Sequence, residues 1–145
     1  MQNNINKNLI KLKKMTIFSK IVAGEIPCYK IAENEQFFAF LDINPLTKGH
    51  TLVIPKQEID YIFDLDEQTY SGLMLFAKKI ARALEKSVEC KRIGVAVMGL
   101  EVPHAHVHLI PIQKEGDMVI SNRKLKLSDE EMKEIAEKIS LNCEF

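Results

Sequence analysis

The sequence predicts an α+β fold with a single hydrophobic core, and three observations support this prediction. The chain has 145 residues, the size of one ordinary domain. Segments 37–43, 51–54, 93–98 and 105–112 are rich in β-branched and aromatic residues, as strands are. Segment 66–89 repeats its apolar residues at the spacing of an amphipathic helix. We therefore expect five short antiparallel strands, with one long helix packed on the sheet and additional short helices.

The first two predicted strands are expected to be antiparallel neighbours. The turn-forming pairs Asn44-Pro45 and Lys48-Gly49 separate segment 37–43 from segment 51–54. A short loop at 99–103 similarly joins the two strands predicted at 93–98 and 105–112. Turn residues thus separate the two strands of each predicted pair.

Two helices are predicted from apolar periodicity. The stripe of the long helix comprises Leu73, Phe76, Ala77, Ile80, Ala81, Leu84 and Val88. Near the C-terminus, Ser128 and Glu131 have the spacing of a capping box, and apolar residues continue at helical period to about residue 140. We expect a helix at about 129–140 and attach no chemistry to it.

The chain is expected to contain one domain with an extension at each end. Segment 1–14 is rich in Asn and Lys, so it is predicted as a disordered tail, with a short cationic helix as the alternative. The domain itself is predicted at 15–112. A C-terminal extension, 113–145, carries the last helix.

The amino-acid composition limits which binding partners and which cellular location we expect. Lys plus Arg and Asp plus Glu are balanced at 20 each, which argues against nucleic acid or an anionic membrane as the partner. The three cysteines form no CxxC pair, so neither a disulfide framework nor a thiolate zinc site is expected. No apolar run is long enough to suggest a membrane span or a signal peptide. We expect a cytoplasmic protein.

Three of the chain's four histidines alternate in one predicted strand. Because successive side chains of a strand point to opposite faces, His104, His106 and His108 should share one face. The intervening Ala105, Val107 and Leu109 should face the core. A row of titratable rings has little packing value, so the pattern indicates a functional site.

Two chemistries suit such a row. One is a metal site, for which only His50 and Glu101 are candidate additional ligands. The other is nucleophilic catalysis, in which a neutral imidazole attacks phosphorus while its neighbours donate hydrogen bonds to the phosphoryl oxygens. The lack of a clear fourth ligand favours the nucleophile, and we expect no metal or other cofactor.

The histidine row, followed by Leu-Ile, resembles the signature of the histidine triad (HIT) family, and the resemblance extends along the chain. Segments 17–21 (IFSKI) and 24–27 (GEIP) resemble the family's opening. Segment 40–45 (FLDINP) resembles its ribose site, and 49–56 (GHTLVIPK) matches the strand that follows. These matches occur in the family's order. The resemblance implies a HIT-like fold, of the Hint-like branch, and a homodimer whose two sheets join, with the long helix or adjoining strand at the interface.

The resemblance also implies roles for the histidines. His106 would be the nucleophile that forms a nucleotidyl intermediate, which water then opens. His104 and His108 would orient His106 and contact the phosphate, and His50 would complete the cluster. The expected reaction is hydrolysis or transfer of nucleoside phosphoramidates or related nucleotides linked through the α-phosphate.

For the nucleoside, the resemblance implies that Asp42 accepts hydrogen bonds from the ribose hydroxyls, which suits a carboxylate. An apolar slot for the base would be formed by Phe18, Ile21, Leu41 and Ile43, although ordinary core packing explains the same four residues. The expected ligand is an AMP- or GMP-type nucleotide.

The loop before the triad departs from the Hint-like pattern. It is short, and Glu101 stands where a small hydroxyl residue is expected, so a carboxylate would repel a nearby phosphate. This feature favours an alternative, a nucleotide-binding regulatory protein with negligible turnover. A dinucleoside polyphosphate hydrolase is a further alternative, although the extended phosphate-contacting loop of that branch is absent from the sequence.

Overall fold

The computed structural model describes residues 15–145, so the tail predicted at 1–14 lies outside the described residues. Helix α1 (Ile17–Val22) comes first, and strands β1 (Lys30–Glu33), β2 (Phe37–Leu41) and β3 (Thr51–Pro55) follow it. The second half contains helix α2 (Glu67–Ser87), strands β4 (Arg92–Ala96) and β5 (Val107–Ile112), and helix α3 (Asp129–Leu141). Short 3₁₀ turns occupy Ile62–Asp64 and Glu115–Met118. No helix within 15–145 is long and apolar enough to cross a membrane.

The five strands form one antiparallel sheet in the order β1-β2-β3-β5-β4, which confirms the predicted α+β class. Strands β2 and β3 are neighbours, as expected, with Leu41 opposite Thr51. The partner of β3 on its other side is β5, where Val53 lies opposite Val107. Strand β4 then pairs with β5 and forms one edge of the sheet.

Two elements were not located from the sequence. Strand β1 is a short edge strand in which only Ile31 is buried, so it shows no regular alternation. Helix α1 has six residues, too few for a periodic stripe, and Thr16 caps its N-terminus by accepting a hydrogen bond from the Ser19 amide. Strand β2 also ends earlier than predicted, because the Asp42 side chain accepts the Asn44 amide and starts a turn.

Both predicted helices are present, and both begin at a side-chain cap. Asp66 accepts the Thr69 amide at the start of α2. Ser128 accepts the Glu131 amide at the start of α3. The apolar residues of α3 belong to the main core and include Met132, Ile135, Ala136 and Ile139. The C-terminal segment is therefore packed against the sheet and α2.

The two faces of the sheet bury different clusters. One face packs against α2 and α3 and forms the main core, which contains Ala105, Val107 and Leu109 as the alternation predicted. The other face carries a smaller cluster, to which α1 contributes Phe18 and Ile21. The remaining buried members of this smaller cluster are Phe38, Phe40, Leu52 and Ile54.

A tight turn before β3 depends on Gly49. Its φ is +90°, and an added Cβ would lie 2.9 Å from Val88 Cγ2 and 3.3 Å from Pro111 Cγ. Gly49→Ala should lower the free energy of unfolding by about 1–2 kcal/mol through backbone strain and by about 1–3 kcal/mol more through overpacking. Gly24 has a φ of +79° and open space around it, so Gly24→Ala is the matched control, which adds strain alone. Denaturant titration measures both, and equal losses would contradict the crowding argument.

Candidate active site

The histidines lie on the face of the sheet that carries α1. The ring centroids of His106 and His108 are 4.9 Å apart. Phe18 of α1 meets the rings of His106 and His104 edge-on, with centroid distances of 5.0 and 5.8 Å. The period-two pattern therefore brings the three rings to one side of the sheet, although only His108 lies within β5 itself.

The position of the proton on His106 follows from its backbone contact. Nδ1 of His106 lies 2.7 Å from the carbonyl oxygen of His104. Because a carbonyl oxygen only accepts, Nδ1 must carry the proton. A neutral His106 ring therefore holds its lone pair on Nε2, the arrangement that a nucleophilic imidazole needs.

A second chain of hydrogen bonds fixes the protons of His50 and His108. The amide of Leu46 donates to His50 Nδ1 at 3.0 Å, so the proton of the neutral His50 ring is on Nε2. His50 Nε2 lies 2.9 Å from His108 Nδ1 and donates to it. His108 is therefore protonated on Nε2. This places a hydrogen-bond donor beside His106.

Burial keeps these two rings neutral. It lowers the pKa of His50 to about 3, and His108, His106 and Lys124 add repulsion of the same sign. Burial likewise lowers the pKa of His108 to about 4, with His106 adding to the effect. Both rings are thus neutral donors or acceptors at physiological pH.

The position of His104 contradicts the expectation that this residue contacts phosphate. Its side chain is fully buried. Nε2 lies 2.7 Å from the carbonyl oxygen of Pro55, and Nδ1 lies 2.8 Å from Thr16 Oγ1. With both ring nitrogens engaged inside the protein, His104 can orient its neighbours but has no atom free for a ligand.

Asp42 lies at the end of β2, close to the histidines. Its Oδ2 is 3.6 Å from His50 Nε2, and its Oδ1 accepts the Asn44 amide. Burial raises the pKa of the Asp42 carboxyl, and Glu101 adds a smaller effect of the same sign. The Asn44 amide, His106 and Lys124 act in the opposite direction. A half-buried carboxylate beside the triad is suited to accept hydroxyl groups.

The four residues expected to form a base slot do not lie together. Phe18 and Ile21 belong to the cluster on the histidine side of the sheet. Leu41 is only 1% exposed and belongs to the main core on the opposite face, so its assignment to the slot is wrong. Ile43 is 68% exposed and follows Asp42 in the turn. Strand alternation explains the error, since Phe40 and not Leu41 faces the histidines.

Sequence reasoning missed three residues near the site. Thr16 forms a hydrogen bond directly with His104. Glu58 is linked to His104 through its own hydrogen bond with Thr16. The charge of Lys124 acts on Asp42 and His50, and the hydrogen bond from the Leu125 amide to the carbonyl oxygen of Pro45 holds its segment beside the turn that follows β2. All three are distant in sequence from the residues that they approach, so no local pattern could reveal them.

Comparison with known proteins identifies the family. The profile of the HIT domain matches residues 23–115, well over half of the chain. This chain belongs to the HIT family. An uncharacterised HIT-like protein of Borreliella burgdorferi is 38% identical over 134 residues, which cover 87% of this chain and 96% of that protein. The adenosine 5'-monophosphoramidase hnt1 of Schizosaccharomyces pombe is 35% identical over 126 residues, covering 86% and 95% respectively.

Solved structures of HIT proteins share this fold. A Hit-like protein from Bartonella henselae superimposes with a TM-score of 0.76 at 32% identity, covering 88% of this chain and 95% of that one. A zinc-bound histidine triad protein from Mycobacterium smegmatis gives a TM-score of 0.73 at 31% identity, covering 87% and 91%. The likeness confirms the HIT fold.

One group in this HIT chain, formed by Asp42, His50 and His108, has metal-ligand spacing among the described residues. Its candidate ligand atoms lie within 4.8 Å of one another. However, a neutral His50 that bound a metal through Nε2 would need its proton on Nδ1, where the Leu46 amide already donates. The two donors would face each other. The group therefore does not fit a metal without breaking that bond.

The depressed pKa values predict that acid destabilises this HIT fold. In the unfolded chain each ring takes up a proton near pH 6.5, but in the fold His108 does so only near pH 4. Between these values the unfolded state binds more protons, so stability falls as the pH is lowered. His50, with a folded pKa of about 3, acts in the same direction. Each ring contributes up to about 1.4 kcal/mol per pH unit in this window.

Denaturant unfolding of the wild-type protein and of His108→Gln, repeated in steps from neutral pH to about pH 5, measures this dependence. The variant should show a shallower fall in the free energy of unfolding because one such ring is gone. Identical slopes would show that His108 is not held neutral by the fold.

Proposed function

We propose that this HIT protein is a nucleotide phosphoramidase that cleaves nucleoside phosphoramidates, or related nucleotides linked through the α-phosphate, through a nucleotidyl-His106 intermediate. The observation that carries the proposal is the hydrogen bond from His106 Nδ1 to the His104 carbonyl oxygen, because it leaves a lone pair on Nε2. The named activity of the fission-yeast relative supports the same reaction class.

The reaction would proceed in two steps. Nε2 of His106 attacks the α-phosphorus, a bond from nitrogen to phosphorus forms, and the substrate's P–N bond breaks. The departing amine takes the electron pair of that bond and a proton from solvent. Water then attacks the phosphorus, releases the nucleoside monophosphate and returns the lone pair to Nε2, while the surplus proton goes to solvent.

His108 would stabilise the charge that develops in both steps. Its Nε2 carries a proton because Nδ1 accepts from His50. A fixed neutral donor beside the nucleophile can bind a phosphoryl oxygen without reorganisation. His50, which is buried and bonded to the Leu46 amide, would hold His108 in that tautomer.

The nucleoside would lie across Asp42 towards α1. Asp42 would accept the ribose hydroxyls, and Phe18 with Ile21 would contact the base, since these two side chains share the histidine face.

We also propose a homodimer formed through the edge strand β4, where Val95 is exposed and the nearby Val97 and Met98 are also exposed. Analytical ultracentrifugation tests the dimer.

A second function, nucleotide binding with negligible turnover, is favoured by one observation. Glu101 is exposed on the loop before the triad and is close enough to raise the pKa of Asp42. A carboxylate there would oppose a phosphate group. Measurement of turnover separates the two functions.

His106→Ala should abolish release of AMP from an adenosine phosphoramidate while AMP binding persists, because the proposed ribose and base contacts lie on other segments. His108→Ala should slow the reaction by about 10²–10³, the usual effect of losing one such donor, and should weaken phosphate binding. Mass spectrometry of rapidly quenched wild-type protein should locate an acid-labile nucleotidyl group in the peptide 103–110. An active His106→Ala protein, or an adduct on His50 or His104, would overturn this mechanism.

Asp42→Ala should weaken binding of AMP far more than binding of its 2',3'-dideoxy analogue, since the lost partner is the pair of ribose hydroxyls. Loss of hydrogen bonds to a charged acceptor costs about 1.5–3 kcal/mol, or about ten- to a hundredfold in Kd. Calorimetric titration measures both ligands, and Asp64→Ala, at an exposed carboxylate, is the control. Equal losses for the two sugars would remove Asp42 from the ribose site.

Chelation tests the proposal that the reaction needs no metal. The support for it is the Leu46 amide, whose bond to His50 Nδ1 conflicts with metal binding through Nε2. EDTA should leave the rate of AMP release unchanged. Stoichiometric zinc in the purified protein, together with activity that is lost on chelation and restored by zinc, would contradict it.

A further inference from the structure

A network outside the triad ties helix α1 to the loop that follows β3. Oε1 of Glu58, in that loop, accepts a hydrogen bond from the Thr16 amide at 2.5 Å and another from Ser19 Oγ at 2.9 Å. Thr16 Oγ1 in turn accepts the Ser19 amide at 3.1 Å. These bonds hold the first turn of α1 in one place. Partial removal from water acts to raise the pKa of Glu58, but together these bonds outweigh it and hold that pKa below its usual value.

Thr16 connects this network to the triad. His104 Nε2 must donate to the Pro55 carbonyl oxygen, so Nδ1 of the neutral ring is an acceptor and the Thr16 hydroxyl donates to it. The His104 ring is thereby held at both nitrogens. The backbone carbonyl of the same residue accepts the His106 Nδ1 proton. Movement of the ring would therefore disturb the contact that sets the tautomer of His106.

We propose that Thr16 and Glu58 are positioning residues for His106, acting through His104. Glu58 places Thr16, Thr16 fixes the His104 ring, and the His104 carbonyl keeps the His106 proton on Nδ1. Neither residue touches the reacting atoms. This inference rests on the proposed function, in which His106 Nε2 is the nucleophile.

The position of α1 gives the network a second effect on the same ring. Phe18 lies two residues after Thr16 and packs edge-on against His106 and His104. An anchored first turn therefore holds one wall of the His106 pocket. Loss of the Thr16 hydroxyl would leave the buried His104 Nδ1 without a donor and would loosen this wall.

Thr16→Val removes the hydroxyl with little change in shape. We expect kcat for an adenosine phosphoramidate to fall about tenfold, since small misplacements of a reacting group are costly. KM and the Kd for AMP should change far less, because the proposed ribose contact at Asp42 does not involve α1. Thr16→Ser should restore kcat. Ser128→Ala is the matched control, because it removes the N-cap of α3 in the same way without a contact to the triad.

Glu58 provides an independent pair of variants. Glu58→Ala should lower kcat, and Glu58→Gln should restore it, because a single oxygen accepts both of the bonds that Glu58 makes. This pair separates the hydrogen bonds from the charge. The two Glu58 variants also test the inference on their own if Thr16→Val does not fold.

Nitrogen-15 NMR of the His106 ring gives a readout that does not require turnover. The wild-type ring should be a single Nδ1–H tautomer, and Thr16→Val and Glu58→Ala should show exchange with the Nε2–H tautomer. An unchanged tautomer in both variants would overturn the inference, as would parallel losses of kcat and AMP affinity, or an equal loss in Ser128→Ala. If the wild-type protein has no phosphoramidase activity, the proposed function fails, and the NMR comparison still decides whether Thr16 and Glu58 position His106.

Discussion

The alternation of side chains along β5 is the constraint on which the site depends. Val107 and Leu109 are buried in the main core beneath α2, so the intervening His108 must face the opposite side. A slip of one residue would exchange these sets and bury the imidazole in the core. The packing of the core therefore selects the register that presents the histidines. Stability and the placement of the site are determined by the same strand.

The protons of the site are fixed by backbone groups that cannot titrate. The Leu46 amide determines the tautomer of His50 and, through it, that of His108, while the His104 carbonyl determines that of His106. Burial then keeps His50 and His108 uncharged, at a cost in stability under acid conditions. Such a site holds its donor and its lone pair in place before a ligand arrives, which is the condition for electrostatic catalysis.

The features that were predictable from sequence are those that depend on near neighbours along the chain. The period-two pattern of residues 104–108 places His106 beside His108, although β5 begins only at Val107. Helical periodicity locates α2 and α3 to within a few residues. Leu41 was misassigned because the family resemblance names a segment, whereas the face of each side chain depends on register. The contacts of Glu58 and Lys124 were not predictable, since each depends on tertiary structure that joins distant segments.

The electrostatic environment of Asp42 depends on segments outside the histidine strand. Glu101 precedes the triad, and Lys124 lies beyond the part of the chain that the HIT profile matches, yet the charges of both reach Asp42 with opposite effects on its pKa. Lys124 is placed there by the bond from the Leu125 amide to the Pro45 carbonyl oxygen. The C-terminal segment thus contributes a positive charge that lowers the pKa of the half-buried Asp42 carboxyl. The charge around Asp42 therefore depends on segments other than the one that carries the triad, so the triad alone does not determine it.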